Sequence, residues 1–184
     1  MERHLAAILM ADIVGFSRLM GEDEVGTLDA VKVLWKEQFG PRVTEHHGRV
    51  VKLMGDAALV EFPSVVDAVR CAIATQRDAA ERNAAVPPGE RIEMRIGINL
   101  GDIISEGDDI YGDGVNVAAR MEKLAEPGGV ALSATAHEHA VGKVDFDFRD
   151  GGEHELKNIA KPVRVYLWSE ERRLAAMLVA NVAG

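Results

Sequence analysis

Apolar and polar residues alternate most regularly at positions 91–101, where every second residue from Ile92 to Leu100 is apolar. A period of two is typical of a strand with one buried face. The apolar run of residues 5–11 predicts another buried strand, which leads directly to Asp12 and a glycine turn. The carboxylate of Asp12 is therefore expected at the end of a buried strand.

Two shorter strands are predicted over Arg49–Met54 and Ala57–Phe62. They are separated only by Gly55 and Asp56, and a two-residue connection with glycine first is typical of a β-hairpin. This hairpin presents the carboxylate of Asp56 at its tip.

Three helices are predicted from apolar residues that recur at helical spacing. The first has its apolar stripe between Leu28 and Phe39, is broken or kinked at Gly40-Pro41, and ends at Gly48. The second is capped by Ser64, with an acid three residues later, and runs to about Asn83. The third covers residues 114–125, with a buried stripe at Val117, Met121 and Leu124.

The rest of the chain predicts shorter elements. We expect strands at residues 130–132, 144–149 and 163–168, a short helix at 136–140, and a turn at 151–152. Strands and helices follow one another without strict alternation, which favours an α/β layer fold. We expect one domain over residues 5–168, followed by a helical tail or the start of a linker over 169–184.

Composition narrows the functional classes. A chain of 184 residues with 47% hydrophobic content can bury a substantial core. The net charge of -9 argues against nucleic acid as a partner, since phosphate binding needs a basic surface. Cys71 is the only cysteine, so no internal disulfide forms, and a cytoplasmic location is expected. The first apolar run is too short for a signal peptide or membrane span.

Six polar residues have the character of a catalytic set: Asp12, Lys52, Asp56, Asp109, Asn116 and Arg120. Asn116 and Arg120 are four residues apart, so they share one face of the third helix. Phosphoryl transfer needs charge neutralisation and in-line geometry more than covalent help. Asp12 and Asp56 are suitable ligands for hard divalent cations, and the turn frees backbone N–H groups of Gly15, Phe16 and Ser17 for phosphate oxygens.

Each residue also has a structural interpretation. Asp12 is in a usual place for a turn former or helix cap, and Asp56 beside glycine is ordinary hairpin chemistry. Lys52 is suited to a solvated strand position, and Asp109 is one of several acids in its loop. Arg120 has Glu122 and Glu126 as alternative surface partners. Only the joint occurrence of all six favours function.

Together these residues and their local frames resemble the class III adenylate and guanylate cyclase catalytic domains, over residues 5–168. The resemblance implies an α+β fold with a ferredoxin-like βαββαβ core, a mostly antiparallel sheet and flanking helices. It also implies two Mg²⁺ or Mn²⁺ ions per site, held by Asp12, Ile13 and Asp56. By the same resemblance, Asn116 orients the ribose and Arg120 stabilises the transition state.

The resemblance further implies that Lys52 and Asp109 recognise adenine, so ATP is the expected substrate and cyclic AMP the expected product. Guanylate cyclases of this class usually have an acid in place of the lysine and a small polar residue or cysteine in place of the aspartate. A head-to-tail homodimer with shared active sites is implied, as is a possible regulatory domain beyond this chain. The alternative is a non-catalytic or conditionally silent nucleotide-binding or dimerisation module.

Overall fold

Eight strands form one sheet in the computed structural model, which describes all 184 residues. The strands are β1 (Glu2–Ile13), β2 (Arg49–Met54), β3 (Ala57–Phe62), β4 (Met94–Glu106), β5 (Asp109–Tyr111), β6 (Gly129–Ser133), β7 (Arg149–His154) and β8 (Val163–Ser169). Their order is β2-β3-β1-β4-β6-β8-β7, and β5 pairs with β4. Only β4 and β6 run parallel, so the sheet is mostly antiparallel.

Seven α-helices flank this sheet. They are α1 (Phe16–Glu22), α2 (Glu24–Val33), α3 (Gly40–Glu45), α4 (Val65–Asn83), α5 (Asp113–Leu124), α6 (Ala134–Ala140) and α7 (Glu170–Ala183). A π-helical stretch, Leu34–Phe39, joins α2 to α3, and a single 3-10 turn, Pro88–Glu90, precedes β4. The predicted fold class is confirmed, with strands β1 to β4 and the helices between them forming the βαββαβ core.

Strand β1 lies between β3 and β4 and is covered on both faces. Ala7, Leu9 and Ala11 belong to the large core cluster that also contains residues of α2, α4 and α6. Ala6 and Ile8 belong to a smaller cluster on the opposite face, which contains Ala118 of α5. Burial of both faces explains why the start of the chain is an unbroken apolar run rather than an alternating one.

The first predicted helix is not broken at Gly40-Pro41. Gly40 is helical (φ -53°, ψ -50°), and its N–H donates to the carbonyl of Trp35, five residues earlier. A π-helical turn therefore precedes the proline, whose missing N–H falls in the first turn of α3. The helix ends at Glu45, and the left-handed residue after it is His47 (φ 65°) rather than Gly48. Gly48 serves packing, because a Cβ there would lie 2.5 Å from the Phe62 ring.

The predictions for the hairpin and for the second helix are confirmed. Met54 pairs with Ala57, and Gly55 between them has the positive φ of 64° that favours glycine. The Ser64 side chain accepts a hydrogen bond from the N–H of Asp67 and caps α4. Cys71 on this helix is completely buried.

The predicted strand at 144–149 and the predicted turn at 151–152 are wrong. Phe146 and Phe148 pack against the core without strand pairing, and β7 begins only at Arg149. Both glycines lie inside β7, where the register with β8 shifts between Asp150 and Glu153. Gly152 has a φ of 81°, so the glycine pair forms a bulge rather than a chain reversal. Strand β5, which contains Asp109, had no counterpart in the sequence prediction.

The residues after β8 form helix α7, which has no buried residue. Its first residue, Glu170, is joined to Arg77 of α4 by an ion pair of 3.1 Å. The segment is helical as far as Ala183. No helix of the protein combines the length and apolar character that crossing a lipid bilayer requires.

Helix α5 lies unusually close to β4 at Gly97. A Cβ at this position would lie 2.1 Å from the backbone N of Glu122 and 2.6 Å from the carbonyl O of Ala118. Both atoms belong to helix backbone, which cannot move aside as a flexible side chain can. Gly97 therefore fixes how closely α5, with its polar residues, approaches the sheet.

We expect Gly97→Ala to destabilise the protein by at least roughly 2 kcal/mol, because α5 must shift away from the sheet to admit the methyl group. Gly21→Ala is the matched control, since a Cβ there meets nothing within 4 Å. Urea unfolding followed by circular dichroism measures both variants. Equal stability of Gly97→Ala and the wild type would contradict the close packing described here.

Candidate active site

The end of β1 and the tip of the β2–β3 hairpin are tied together by one backbone hydrogen bond. The N–H of Ile13 donates to the carbonyl O of Asp56 at 2.9 Å. Asp12 lies between Ala11 and Ile13, which both belong to the large cluster. Because side chains alternate along a strand, the Asp12 side chain lies on the opposite face of the sheet, which helix α5 covers. The structure therefore brings together the two carboxylates that the sequence singled out.

These two carboxylates are partly buried and have few hydrogen-bond partners. Asp12 Oδ1 is buried without a hydrogen-bond partner, and Oδ2 accepts from Lys123 Nζ at 3.1 Å. Burial raises the pKa of Asp56 above its usual range, and the neighbouring Asp12 carboxylate raises it further. A negatively charged neighbour and burial both make ionised Asp56 less stable, so a cation bound here would stabilise the site.

Lys52 and Asp109 form a second pair on strands β2 and β5. Lys52 Nζ lies 2.9 Å from both carboxylate oxygens of Asp109 and 5.6 Å from the centre of the Tyr111 ring. The Lys52 ammonium lowers the pKa of Asp109, and the N–H of Ile110, which donates to the same carboxylate, lowers it further. Neither residue is simply solvated, so the structural interpretation given above for these two residues is not observed.

A bulge in β2 decides which way Lys52 points. The register with β3 shifts between Val50 and Lys52, so Val50 pairs with Val60 while Lys52 pairs with Leu59. Directly paired residues share a face of the sheet, and Leu59 belongs to the cluster on the α5 face. The bulge therefore places Lys52 on the same face as Asp12.

The turn after β1 has the geometry expected from its glycine. Gly15 is left-handed, with a φ of 64°, and caps α1 without a side-chain hydrogen bond. Phe16 packs partly into the core, whereas Ser17 is exposed. Backbone N–H groups in the first turn of a helix have no partner within that helix. They are available near the end of the strand that bears Asp12.

Asn116 and Arg120 lie on α5 as predicted, but the single chain gives them no partner. Asn116 is exposed and Arg120 is half-buried, and neither side chain makes a hydrogen bond or ion pair. Arg120 does not pair with either glutamate considered above, because Glu122 contacts Lys123 and Glu126 contacts Arg149 and Arg172. Four of the six residues thus lie together in two pairs within one chain, whereas Asn116 and Arg120 have no partner there.

Lys123 and Glu122 belong to this site but were missed as functional candidates. Lys123 lies three residues after Arg120 and seven after Asn116, so it shares their helix face. That spacing was the signal that could have identified it. Glu122 is only 2% exposed, and burial raises its pKa. No sequence rule indicated that a glutamate beside Lys123 would be buried.

The carboxylates of Asp12 and Asp56 are suitable for a divalent metal ion whose other ligands are water and substrate phosphates. No group of three or more His, Cys, Asp or Glu side chains could enclose an ion. Mg²⁺ commonly binds one or two carboxylates and completes its shell with water and substrate phosphates. The buried, unpartnered Oδ1 of Asp12 is an oxygen ligand of the kind that such an ion takes.

Comparison with known proteins gives consistent matches over nearly the whole chain. The family model described as "Adenylate and Guanylate cyclase catalytic domain" matches residues 2–170. A Rhizobium meliloti (strain 1021) protein, provisionally named adenylate cyclase 3, is 53% identical over 93% of this chain. The match covers 29% of that relative, so the chain spans less than a third of its length.

Two solved structures show the same fold. The adenylate/guanylate cyclase/hydrolase from Silicibacter pomeroyi is 42% identical, with a TM-score of 0.87 over 91% of this chain and 98% of that one. The adenylyl cyclase CyaB from P. aeruginosa is 25% identical, with a TM-score of 0.75 over 91% of this chain and 95% of that one.

We expect Asp12→Asn to lower the pKa of Asp56, because a neighbouring negative charge is removed while burial of the site remains. Titration of the aspartate side-chain carboxyls by ¹³C NMR measures this change. Asp108→Asn is the control, since Asp108 is exposed and its side chain has no partner. An unchanged pKa of Asp56 in Asp12→Asn would show that the two carboxylates do not interact.

Asp12→Asn should also change how the stability of the protein depends on pH. Because the pKa of Asp56 is raised in the folded state, the folded protein binds this proton more tightly than the unfolded chain does. Stability from this group is therefore lost as pH rises through the raised pKa. Asp12→Asn should make that loss smaller, which urea titrations at several pH values will measure.

Proposed function

Because the chain belongs to the adenylate and guanylate cyclase catalytic domain family, we propose that it is an adenylate cyclase. In this reaction the ribose 3′ oxygen attacks the α-phosphorus of ATP, and the bond to the β,γ-pyrophosphate breaks. The products are 3′,5′-cyclic AMP and pyrophosphate. We assign this activity to residues 5–168 and treat 169–184 as a tail.

The contact between Lys52 and Asp109 is the observation that best supports ATP over GTP. An ammonium can donate to the ring N1 of adenine, and a carboxylate can accept from its exocyclic amine. Guanine carries a hydrogen on N1 and an oxygen at the exocyclic position, so both groups would face unsuitable partners. Buried polar groups that lose their partners discriminate strongly between substrates.

Binding of the triphosphate is assigned to the end of β1 and the turn after it. Asp12, Asp56 and the backbone carbonyl of Ile13 would hold two Mg²⁺ or Mn²⁺ ions, which would activate the ribose hydroxyl and neutralise phosphate charge. The backbone N–H groups of Gly15, Phe16 and Ser17 would donate to phosphate oxygens. These contacts orient the nucleotide along the α5 face of the sheet.

Asn116 and Arg120 would complete the site from a second copy of the chain. In this assignment the Asn116 amide orients the ribose, and the Arg120 guanidinium stabilises charge that develops on the transferred phosphoryl group. Neither side chain has a partner within its own chain, which supports a role across an interface. We therefore propose a head-to-tail homodimer with two shared active sites.

A conditionally silent cyclase module is the second candidate function. Two observations favour it: Lys123 contacts the proposed metal ligand Asp12, and Asn116 and Arg120 lack partners in the single chain. A monomer of this kind would bind nucleotide without turning it over. Regulatory segments of a longer protein could then control activity by controlling how two copies associate.

We expect the purified chain to form cyclic AMP from ATP with Mn²⁺ or Mg²⁺ and to form little cyclic GMP from GTP. Asp56→Ala should reduce turnover by more than about 100-fold, because loss of metal chemistry costs several kcal/mol. Asp108→Ala, a change of an exposed acid, should leave turnover unchanged. Both products are measured by chromatography. Normal turnover in Asp56→Ala would reject the metal assignment.

Mixing two inactive variants tests the shared site. Asp12→Ala and Asn116→Ala should each be inactive alone and should regain activity together, because each mixed dimer has one intact site. With random pairing, about one quarter of wild-type activity should return. Specific activity of the wild type should also fall on dilution. Mixtures that remain inactive despite proven subunit exchange would favour a site within one chain.

A further inference from the structure

The side chain of Lys123 bridges two carboxylates next to the proposed metal site. Its Nζ lies 3.1 Å from Asp12 Oδ2 and 3.3 Å from Glu122 Oε2. The Lys123 side chain is 62% exposed, whereas that of Glu122 is only 3% exposed. The exposed ammonium of Lys123 is therefore held near the site by the buried carboxylate of Glu122.

The position of Glu122 is set by the fold. Gly97 of β4 lies directly under the backbone N of Glu122, so α5 is held against the sheet at this residue. Glu122 Oε1 is buried and has no hydrogen-bond partner, so the carboxylate depends on nearby cations. Burial nevertheless keeps the pKa of Glu122 above its usual range, because neither Lys123 nor the more distant Arg95, opposite Asp12 in the register of β1 and β4, compensates for it.

Of the two proposed metal-binding carboxylates, only Asp12 is in direct contact with a cation, and that cation is Lys123. An ammonium 3.1 Å from Asp12 Oδ2 lies where a divalent ion bound to that oxygen would strongly repel it. The exposed four-carbon stem allows the ammonium to move into solvent while Glu122 continues to attract it. Displacement from Asp12 therefore needs no movement of the backbone.

We propose that Lys123 is a built-in counter-ion of the metal site, which neutralises Asp12 before a divalent cation binds and is displaced by that cation onto Glu122. This inference rests on the proposed function, since it takes Asp12 as a metal ligand. Lys123 weakens metal binding to the nucleotide-free protein and reduces the repulsion between the two carboxylates. It acts on the metal ligand and is a positioning residue.

The test is the dissociation constant of Mn²⁺ for the full chain without nucleotide, measured from the electron paramagnetic resonance signal of free Mn²⁺. Lys123→Met should bind Mn²⁺ roughly three- to tenfold more tightly than the wild type, because a partly exposed positive charge is removed from the site. Lys123→Arg keeps the charge and should bind like the wild type. Lys32→Met, which removes an exposed lysine on α2, should also bind like the wild type.

A double variant guards against a folding defect. Glu122→Gln with Lys123→Met removes both partners of the anchoring pair, so no buried carboxylate is left unpaired by the change. It should bind Mn²⁺ more tightly than the wild type, because no ammonium competes for Asp12, but less tightly than Lys123→Met, because a nearby negative charge is also removed. Equal affinity of Lys123→Met, the double variant and the wild type would overturn the counter-ion role while leaving the metal site intact. Failure of the wild type to bind Mn²⁺ at all, with or without ATP, would overturn the metal assignment and this inference together.

Discussion

The functional region depends on two carboxylates being held near each other in a partly buried place. The hydrogen bond from the Ile13 N–H to the Asp56 carbonyl creates this arrangement, because it joins the end of β1 to the tip of the hairpin. Burial and mutual repulsion both oppose ionisation, as the raised pKa of Asp56 indicates. Holding the two carboxylates together lowers the stability of the folded protein unless a cation lies nearby. Local destabilisation of this kind is typical of functional sites.

Helix α5 supplies positive charge to this region in two ways. Lys123 contacts Asp12 within the same chain, whereas Arg120, one turn earlier on the same face, has no partner. Both positions follow from the close approach of α5 to β4 that Gly97 permits. One packing contact thus controls the charge around Asp12 and the positions of Asn116 and Arg120, which we assign to a shared site.

The contact between Lys52 and Asp109 depends on a different structural feature. Lys52 reaches Asp109 because the bulge in β2 moves its side chain to the α5 face, and because β5 folds back along β4 to present the aspartate. The two side chains hold each other in place within the single chain. Preorganisation of this kind favours specificity, since a ligand need not order the groups that recognise it.

The sequence by itself determined the elements that depend on local spacing and turn chemistry: the strand alternation, the Gly55 hairpin, the Ser64 cap and the helix of Asn116 and Arg120. It also singled out the carboxylates Asp12 and Asp56 and the residues Lys52 and Asp109, through resemblance to a known family. Only the tertiary structure decided the β2 bulge, the bulged β7 and the contact of Lys123 with Asp12. The physical reason is that each depends on a partner elsewhere in the fold: the bulges on pairing with another strand, and Lys123 on Asp12, 111 residues away along the chain. Contacts of that range are set by how the helices and strands pack, which no local pattern encodes.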